Sequence, residues 1–190
     1  MPERTTDEAL LERARRGEEA AFLVLYERHR DGVYRFAYRL LGSTALAEEI
    51  AHDCFLDLLR RPHAFNPARA TLRTYLYAAA RNLALKHFRH VELTLEGAGV
   101  AECASHAREP LEELLAAELA EAVHRAVVSL PPLQREALVL FEYEELSLAE
   151  VAAVVDADVG VVKARLARAR ANLRTRLAPY RANGRELERR

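Results

Sequence analysis

Apolar residues recur at three- and four-residue steps through most of this chain, and that period is what most narrows its possible folds. Between Glu18 and Leu41 the apolar positions Phe22, Leu25, Tyr26, Val33, Phe36, Ala37 and Leu40 share one face of a helix but would scatter over both faces of a strand. Composition agrees. Ala (35), Leu (30), Arg (26) and Glu (23) are strong helix formers and dominate the 190 residues, against one Ile and 21 Val plus Thr. The expectation is an all-α protein. Its apolar fraction, 51%, suffices for a packed core. No uninterrupted apolar run reaches about 18 residues, so no membrane insertion is expected. The segment MPERTTDEALLERARRG lacks the apolar stretch of a secretory signal, and two cysteines, Cys54 and Cys103, cannot build a disulfide scaffold. A reduced, cytoplasmic protein is expected.

Glycine and proline divide the pattern into helices. The first covers about Asp7–Arg15 and stops at Gly17; the second runs to Leu41, where Gly42 suits a left-handed C-terminal position. Ser43 or Thr44 can cap a third helix reaching Arg60, with Leu46, Ile50, Phe55 and Leu59 inward. Pro62 and the turn-forming HAFNPA segment precede a fourth helix, about Ala70–His90, with Leu72, Leu76, Ala80, Leu83 and Phe88 apolar. Residues 91–109 hold glycines and small residues with little periodicity, and read as a flexible linker between two small helical domains, 1–90 and 110–180. In the second domain, Pro110 and the Pro131-Pro132 pair each open a helix, the latter to about Tyr143, and residues 181–190 form a polar tail.

The net charge of −1 conceals segregation. Residues 58–91 carry seven Lys/Arg and no acid, and residues 159–185 carry eight Lys/Arg and no acid. Residues 141–158 hold six acids and no base. Each basic block is either a solvated face or the footprint that a polyanion requires.

The most informative stretch is Ser147–Leu173. Ser147-Leu148-Ala149-Glu150 is a capping box that opens a short helix to Val155. Asp156-Ala157-Asp158 is a turn, and a longer helix follows to about Tyr180, with Val162, Leu166, Ala169 and Leu173 as its inner stripe. Lys163, Ala164, Ala167 and Arg168 then face outward. This is helix-turn-helix spacing, which places the second helix in the DNA major groove; the same pattern also fits an ordinary helical hairpin with a basic face.

The run Leu130-Pro131, Gln134-Arg135, Leu146-Ser147, Glu150-Val151-Ala152 and Gly160-x-Val162-Lys163-x-Arg165-Leu166-x-Arg168-Ala169-Arg170 resembles the −35-binding region of bacterial sigma factors. Val33-Tyr34-Arg35, Leu40-Leu41-Gly42, Ala47-Glu48-Glu49-Ile50, Phe55-Leu56, Phe65-Asn66-Pro67, Tyr75-Leu76 and Ala80-Arg81-Asn82 resemble the core-binding and −10-binding region of the same family. The two runs occur in family order, over roughly residues 18–90 and 115–177, and nothing else of the family is present. The chain therefore resembles the extracytoplasmic-function, or group IV, sigma factors of the sigma-70 family.

The resemblance implies a subunit that binds RNA polymerase core, reads −35 and −10 promoter elements, has no catalytic site or cofactor, and is held inactive by an anti-sigma factor. It implies −35 contacts from Val161, Lys163, Ala164, Arg165, Ala167 and Arg168. Val161 and Ala164 stand where the family carries hydroxyls, and could meet thymine methyls instead. The −10 contacts implied are Asn66, Arg69, Arg73, Arg81 and Lys86. Asn66 suits either a base edge or a cap. The third helix, through Glu48, Glu49, His52, Asp53, Leu56 and Asp57, would dock on the coiled coil of the polymerase β′ subunit. Glu49, Asp53 and Asp57, at four-residue steps, form an acidic stripe suited to a basic helix; it could also be a solvated face.

A second possibility is a stand-alone helix-turn-helix regulator that acts without polymerase. A metal enzyme or sensor has only His52-x-Cys54 and Cys103-x-x-His106 in its favour, and neither is a paired zinc ligand set. No nucleophile–base constellation and no phosphate-binding glycine loop is present.

Overall fold

The computed structural model describes residues 5–94 and 111–180, and every regular element among them is helical. The N-terminal bundle consists of α1 (Asp7–Arg15), α2 (Glu19–Leu41), α3 (Thr44–Arg60) and α4 (Leu72–Thr94), with a single 3₁₀ turn at Pro62–Ala64. The C-terminal bundle consists of α5 (Leu111–Val128), α6 (Pro132–Leu138, continuing through a π-helical turn, Val139–Tyr143), α7 (Leu148–Val155) and α8 (Val159–Arg176). Helix α4 extends four residues beyond the expected His90, so 91–94 are helical; the rest of the expected linker, Cys103 and His106 lie outside the described residues.

The helix ends follow from local chemistry. Thr6 Oγ1 accepts the Ala9 amide at 3.3 Å, and Ser43 Oγ accepts that of Leu46 at 3.4 Å. Asp7 reaches across to Arg28 and His29, which fastens α1 to α2. Gly42 ends α2 in the left-handed region (φ 71°), and a Cβ there would stand 3.2 Å from Val128 Cγ1, so its bareness also lets α5 approach.

Leu25, Val33, Phe36, Ala37 and Leu40 of α2 are buried, as their spacing predicts. On α3 the expectation of an inward Leu59 is corrected. Leu59 is 48% exposed, and Leu58 is buried instead. Ile50, Cys54 and Leu58 follow one another at four-residue steps along the buried face, which leaves the next position outside. Phe22 and Tyr26 meet Phe55 edge-on, Tyr26 at 4.9 Å.

The two bundles share a continuous core. Helix α5 lies on α2, where His124 stacks on Tyr38 at 4.7 Å. Helices α6 and α7 lie on α2 and α4. One uniform helix was expected from Pro131 to Tyr143. The chain instead widens after Leu138, with the Glu144 amide bonded to the Val139 carbonyl at 3.0 Å. The extra residue in that turn brings Glu144 inward, where it is 3% exposed.

Candidate nucleic-acid interface

The C-terminal bundle ends in a helix-turn-helix. Ser147 Oγ accepts the Glu150 amide at 3.3 Å, and the Glu150 carboxylate accepts the Ser147 amide at 2.9 Å, closing the capping box. Hydrogen bonds from Ser147 hold the Glu150 carboxyl below the usual carboxylate range. Asp156 makes the turn in the left-handed region at φ 50°, a conformation Asp tolerates. Val162, Leu166 and Ala169 are buried and Leu173 is half-buried, so the inner stripe of α8 packs as its spacing requires.

That packing orients the outer face. Val161 (43% exposed), Lys163, Ala164, Ala167 and Arg168 all lie at the surface. Arg165 does not join them. It borders the stripe beside Leu166 and turns inward, its Nη1 donating to Glu136 Oε1 at 3.0 Å. Arg170 is drawn aside to Glu142 at 2.6 Å, above the Phe141 ring.

On the N-terminal bundle, the turn before α4 is organised by Asn66, whose Oδ1 accepts the Ala68 amide at 2.9 Å. Asn66 is not a helix cap: α4 starts at Leu72, where Thr71 Oγ1 accepts the Thr74 amide at 3.2 Å, and the Asn66 side chain braces the preceding turn instead. Phe65 is buried against Tyr75, and Asn66 and Arg69 stand exposed beside it. Lys86 is exposed at a cleft of about 240 Å³ that Glu49 and Asp53 also line. Arg73 and Arg81 project instead toward the C-terminal bundle, Arg73 donating to the Glu144 carbonyl and Arg81 Nε to Glu136 Oε2 at 2.7 Å. Tyr77 is core, its hydroxyl donating to Glu144 Oε2 at 2.6 Å. Burial, with the neighbouring carboxylate, pushes the Tyr77 phenol up to about 12.

Helix α3 presents Glu48, Glu49, His52 and Asp53 to solvent. Asp57 is engaged by Arg61, whose Nε donates to it at 2.9 Å, so the acidic stripe is partly neutralised at its end. Leu56 and His52 border a groove of about 840 Å³ between α1, α2 and α3, floored by Phe22 and Phe55 and flanked by Leu23, 53% exposed, and Leu59. Sequence reasoning missed Leu23 and Leu59 as surface residues; apolar side chains just off the buried stripe are the signal that would have found them. It also missed Arg135, Glu136 and Glu144. Their signal was charge inside the apolar run Ala137–Tyr143 and at its edges, which calls for partners. Arg135 donates to the Leu130 carbonyl at 2.9 Å and to that of Leu40, and burial lowers its guanidinium to about 10. Cys54 is buried, its thiol pushed up to about 12, far from a reactive thiolate. Among the described residues no cluster of three His, Cys, Asp or Glu could hold a metal, and no helix is long and apolar enough to cross a membrane.

Comparison with known proteins adds to this geometry. The Sigma-70 region 2 family matches residues 25–92, and the Sigma-70, region 4 family matches residues 120–173. The chain is similar to the ECF RNA polymerase sigma factor BldN of Streptomyces coelicolor, 36% identical over 160 residues, which span 81% of this chain and 59% of that protein. It is similar to the RNA polymerase sigma-H factor of Pseudomonas aeruginosa, 30% identical over 91% of this chain and 94% of that one. Its fold is similar to that of the sigma factor RpoE in complex with the anti-sigma factor NepR from Bartonella quintana, with a TM-score of 0.67 at 23% identity, covering 82% of this chain and 94% of the other.

Proposed function

We propose that this chain, which belongs to the extracytoplasmic-function group of the sigma-70 family, binds RNA polymerase core and directs promoter-specific initiation by reading −35 and −10 elements. Residues 1–90 are the unit that holds core and the −10 element. Residues 110–180 read the −35 element, and 91–109 tether the two. The observation that carries this reading is the pairing, on one chain, of a capped helix-turn-helix with an exposed basic α8 face and of an acidic, exposed α3 beside an apolar groove.

Each surface has a chemistry suited to its partner. An α8 laid in the major groove brings Lys163 and Arg168 to guanine edges or phosphates, and brings the apolar Val161, Ala164 and Ala167 to thymine methyls. Asn66 and Arg69 stand exposed at the turn before α4, suited to an unstacked base and its phosphate, with Lys86 further along the helix. On α3, Glu48, Glu49 and Asp53 form an acidic rim beside His52, Leu56 and the apolar groove, which suits a basic amphipathic helix such as the β′ coiled coil. Sigma-70 factors are not in general enzymes, and this one takes its chemistry from the polymerase; it works in the cytoplasm with it. A regulatory partner of the anti-sigma kind, as RpoE has in NepR, is proposed for this chain too.

Co-elution with native core polymerase tests the reading. Wild-type protein should co-elute. The Glu49→Lys/Asp53→Lys variant should keep its helicity and melting temperature, since both side chains are exposed, yet lose association with core, most strongly at low salt. A stand-alone regulator would bind DNA and never co-elute. If the double variant binds core as wild type does, α3 is not the docking helix.

A further inference from the structure

Helix α8 is held at both edges of its buried stripe as well as along it. At 3.6 residues per turn, Arg165 and Asn172 lie on one edge of the Val162-Leu166-Ala169 stripe and Arg170 lies on the other. Each edge is tied to α6 or to its π-helical continuation. Arg165, its side chain 18% exposed, donates from Nη1 to Glu136 Oε1 at 3.0 Å, and Asn172 Nδ2 donates to Gln134 Oε1 at 2.8 Å. On the far edge Arg170 donates from Nε and Nη2 to one oxygen of Glu142, at 2.9 and 2.6 Å. Glu136 is 2% exposed and its second oxygen is taken by Arg81, so it is a fixed acceptor rather than a mobile surface group.

Resting on the reading that α8 lies in the major groove at the −35 element, we propose that Arg165 is a positioning residue for that element and not one of its contacts: with Glu136 it fixes the roll of α8 about its own axis. Apolar contact is non-directional, and a stripe of Val, Leu and Ala offers little relief to resist a turn of the helix. Hydrogen bonds are directional. Ties on both edges resist rotation either way, since rolling α8 toward one edge stretches the pairs on the other. The roll decides which of Val161, Ala164, Ala167 and Arg168 points at a base edge, and such a contact must be held to within roughly 10–20°. Leaving Glu136 for a phosphate would cost Arg165 a well-placed charge-assisted bond and leave a buried carboxylate one partner short, so the side chain stays with the protein.

The test compares wild type, Arg165→Met and Glu136→Gln, each as the full chain bound to core polymerase, on the −35 sequence that wild type enriches most from a randomised library and on its single-base variants. The ratio of the two affinities cancels any change common to both duplexes, including one in how the bundles pack. Positioning predicts that both variants lose roughly tenfold in that ratio at every position α8 reads, as misaligned base contacts would, while the slope of affinity against salt stays at the wild-type value. The two losses should not add in the double variant, since both break one tie. Arg170→Met, at the opposite edge, should lower the ratio in the same direction. A phosphate contact from Arg165 predicts a different pattern: Arg165→Met weakens all sequences alike and lowers the salt slope by about one unit, and Glu136→Gln, which frees the guanidinium, tightens binding. A base contact would relax a single position in Arg165→Met and none in Glu136→Gln. Either pattern, or an unchanged ratio in Arg165→Met, overturns the positioning role. If Glu136→Gln loses helicity, Gln134→Ala, at the neighbouring tie, is measured in its place and should lower the ratio likewise. If wild type enriches no −35 sequence at all, α8 is not the reader, and the underlying reading fails and takes this inference with it.

Discussion

Glu145 shows how much a single backbone position can store. It sits at φ 52° with no glycine's freedom, between the buried Glu144 and the buried Leu146, so the chain must turn there whatever residue is present. The left-handed conformation costs an L-residue about 1–2 kcal/mol, of which the extra unfolded-state freedom of glycine returns part. Glu145→Gly should therefore stabilise the fold by roughly 0.5–1 kcal/mol, read as a higher urea midpoint at unchanged slope. A lower midpoint would mean that the exposed Glu145 side chain contributes more than its backbone costs. His124 is the residue to follow with pH. Burial lowers its pKa, Glu121 opposes that shift and Arg39 adds to it, and its Nε2 is buried without a hydrogen-bond partner among the described residues. The unfolded side chain titrates near 6.5, above the folded value, so protonation favours the unfolded chain. The stability His124 contributes is present above about 6.5 and is lost as pH falls through its folded value. The drop in urea midpoint from roughly pH 7.5 to 5.5 should be smaller in His124→Phe than in wild type; equal drops would place the effect elsewhere.

Among the elements, the local ones were the most legible. Asp7–Arg15, the left-handed Gly42, the Ser147–Glu150 box and the Val162-Leu166-Ala169 stripe each depend on neighbours within a turn or two, and sequence shows those directly. What escaped depends on distant partners. Glu136 and Glu144 are buried because arginines and a tyrosine 55 to 105 residues earlier reach them, and no periodicity reports such pairings. Arg165 was named a −35 contact from the resemblance and not from the outward face of α8, and its side chain reaches Glu136. The exposed Lys163 and Arg168 make α8 testable as a reader. Arg168→Ala should cost roughly 1–3 kcal/mol at one position of the −35 element, as a bidentate guanine contact would. Lys163→Ala, nearer the helix start, should weaken all sequences alike and lower the salt slope by about one unit. Binding of both variants to single-base −35 mutants at several salt concentrations separates these outcomes, and no change in either would remove α8 from the DNA.

At the scale of the whole molecule, the resemblance of two separate regions in order was legible from motifs alone, and the matched families repeat it. The packing of the two bundles on each other was not, because the tether says nothing of the faces it brings together. Those faces place two of the five residues expected at the −10 element, Arg73 and Arg81, in hydrogen bonds to the C-terminal bundle. The most direct measurement is run-off transcription by core polymerase supplemented with this chain, on a library randomised across the −35 and −10 regions. Transcripts should appear only with the chain added, and sequencing should recover two conserved blocks at fixed spacing, one of which relaxes at a single position in Arg168→Ala. Transcription that is independent of the chain, or a single conserved block bound without polymerase, would contradict a promoter-specificity subunit.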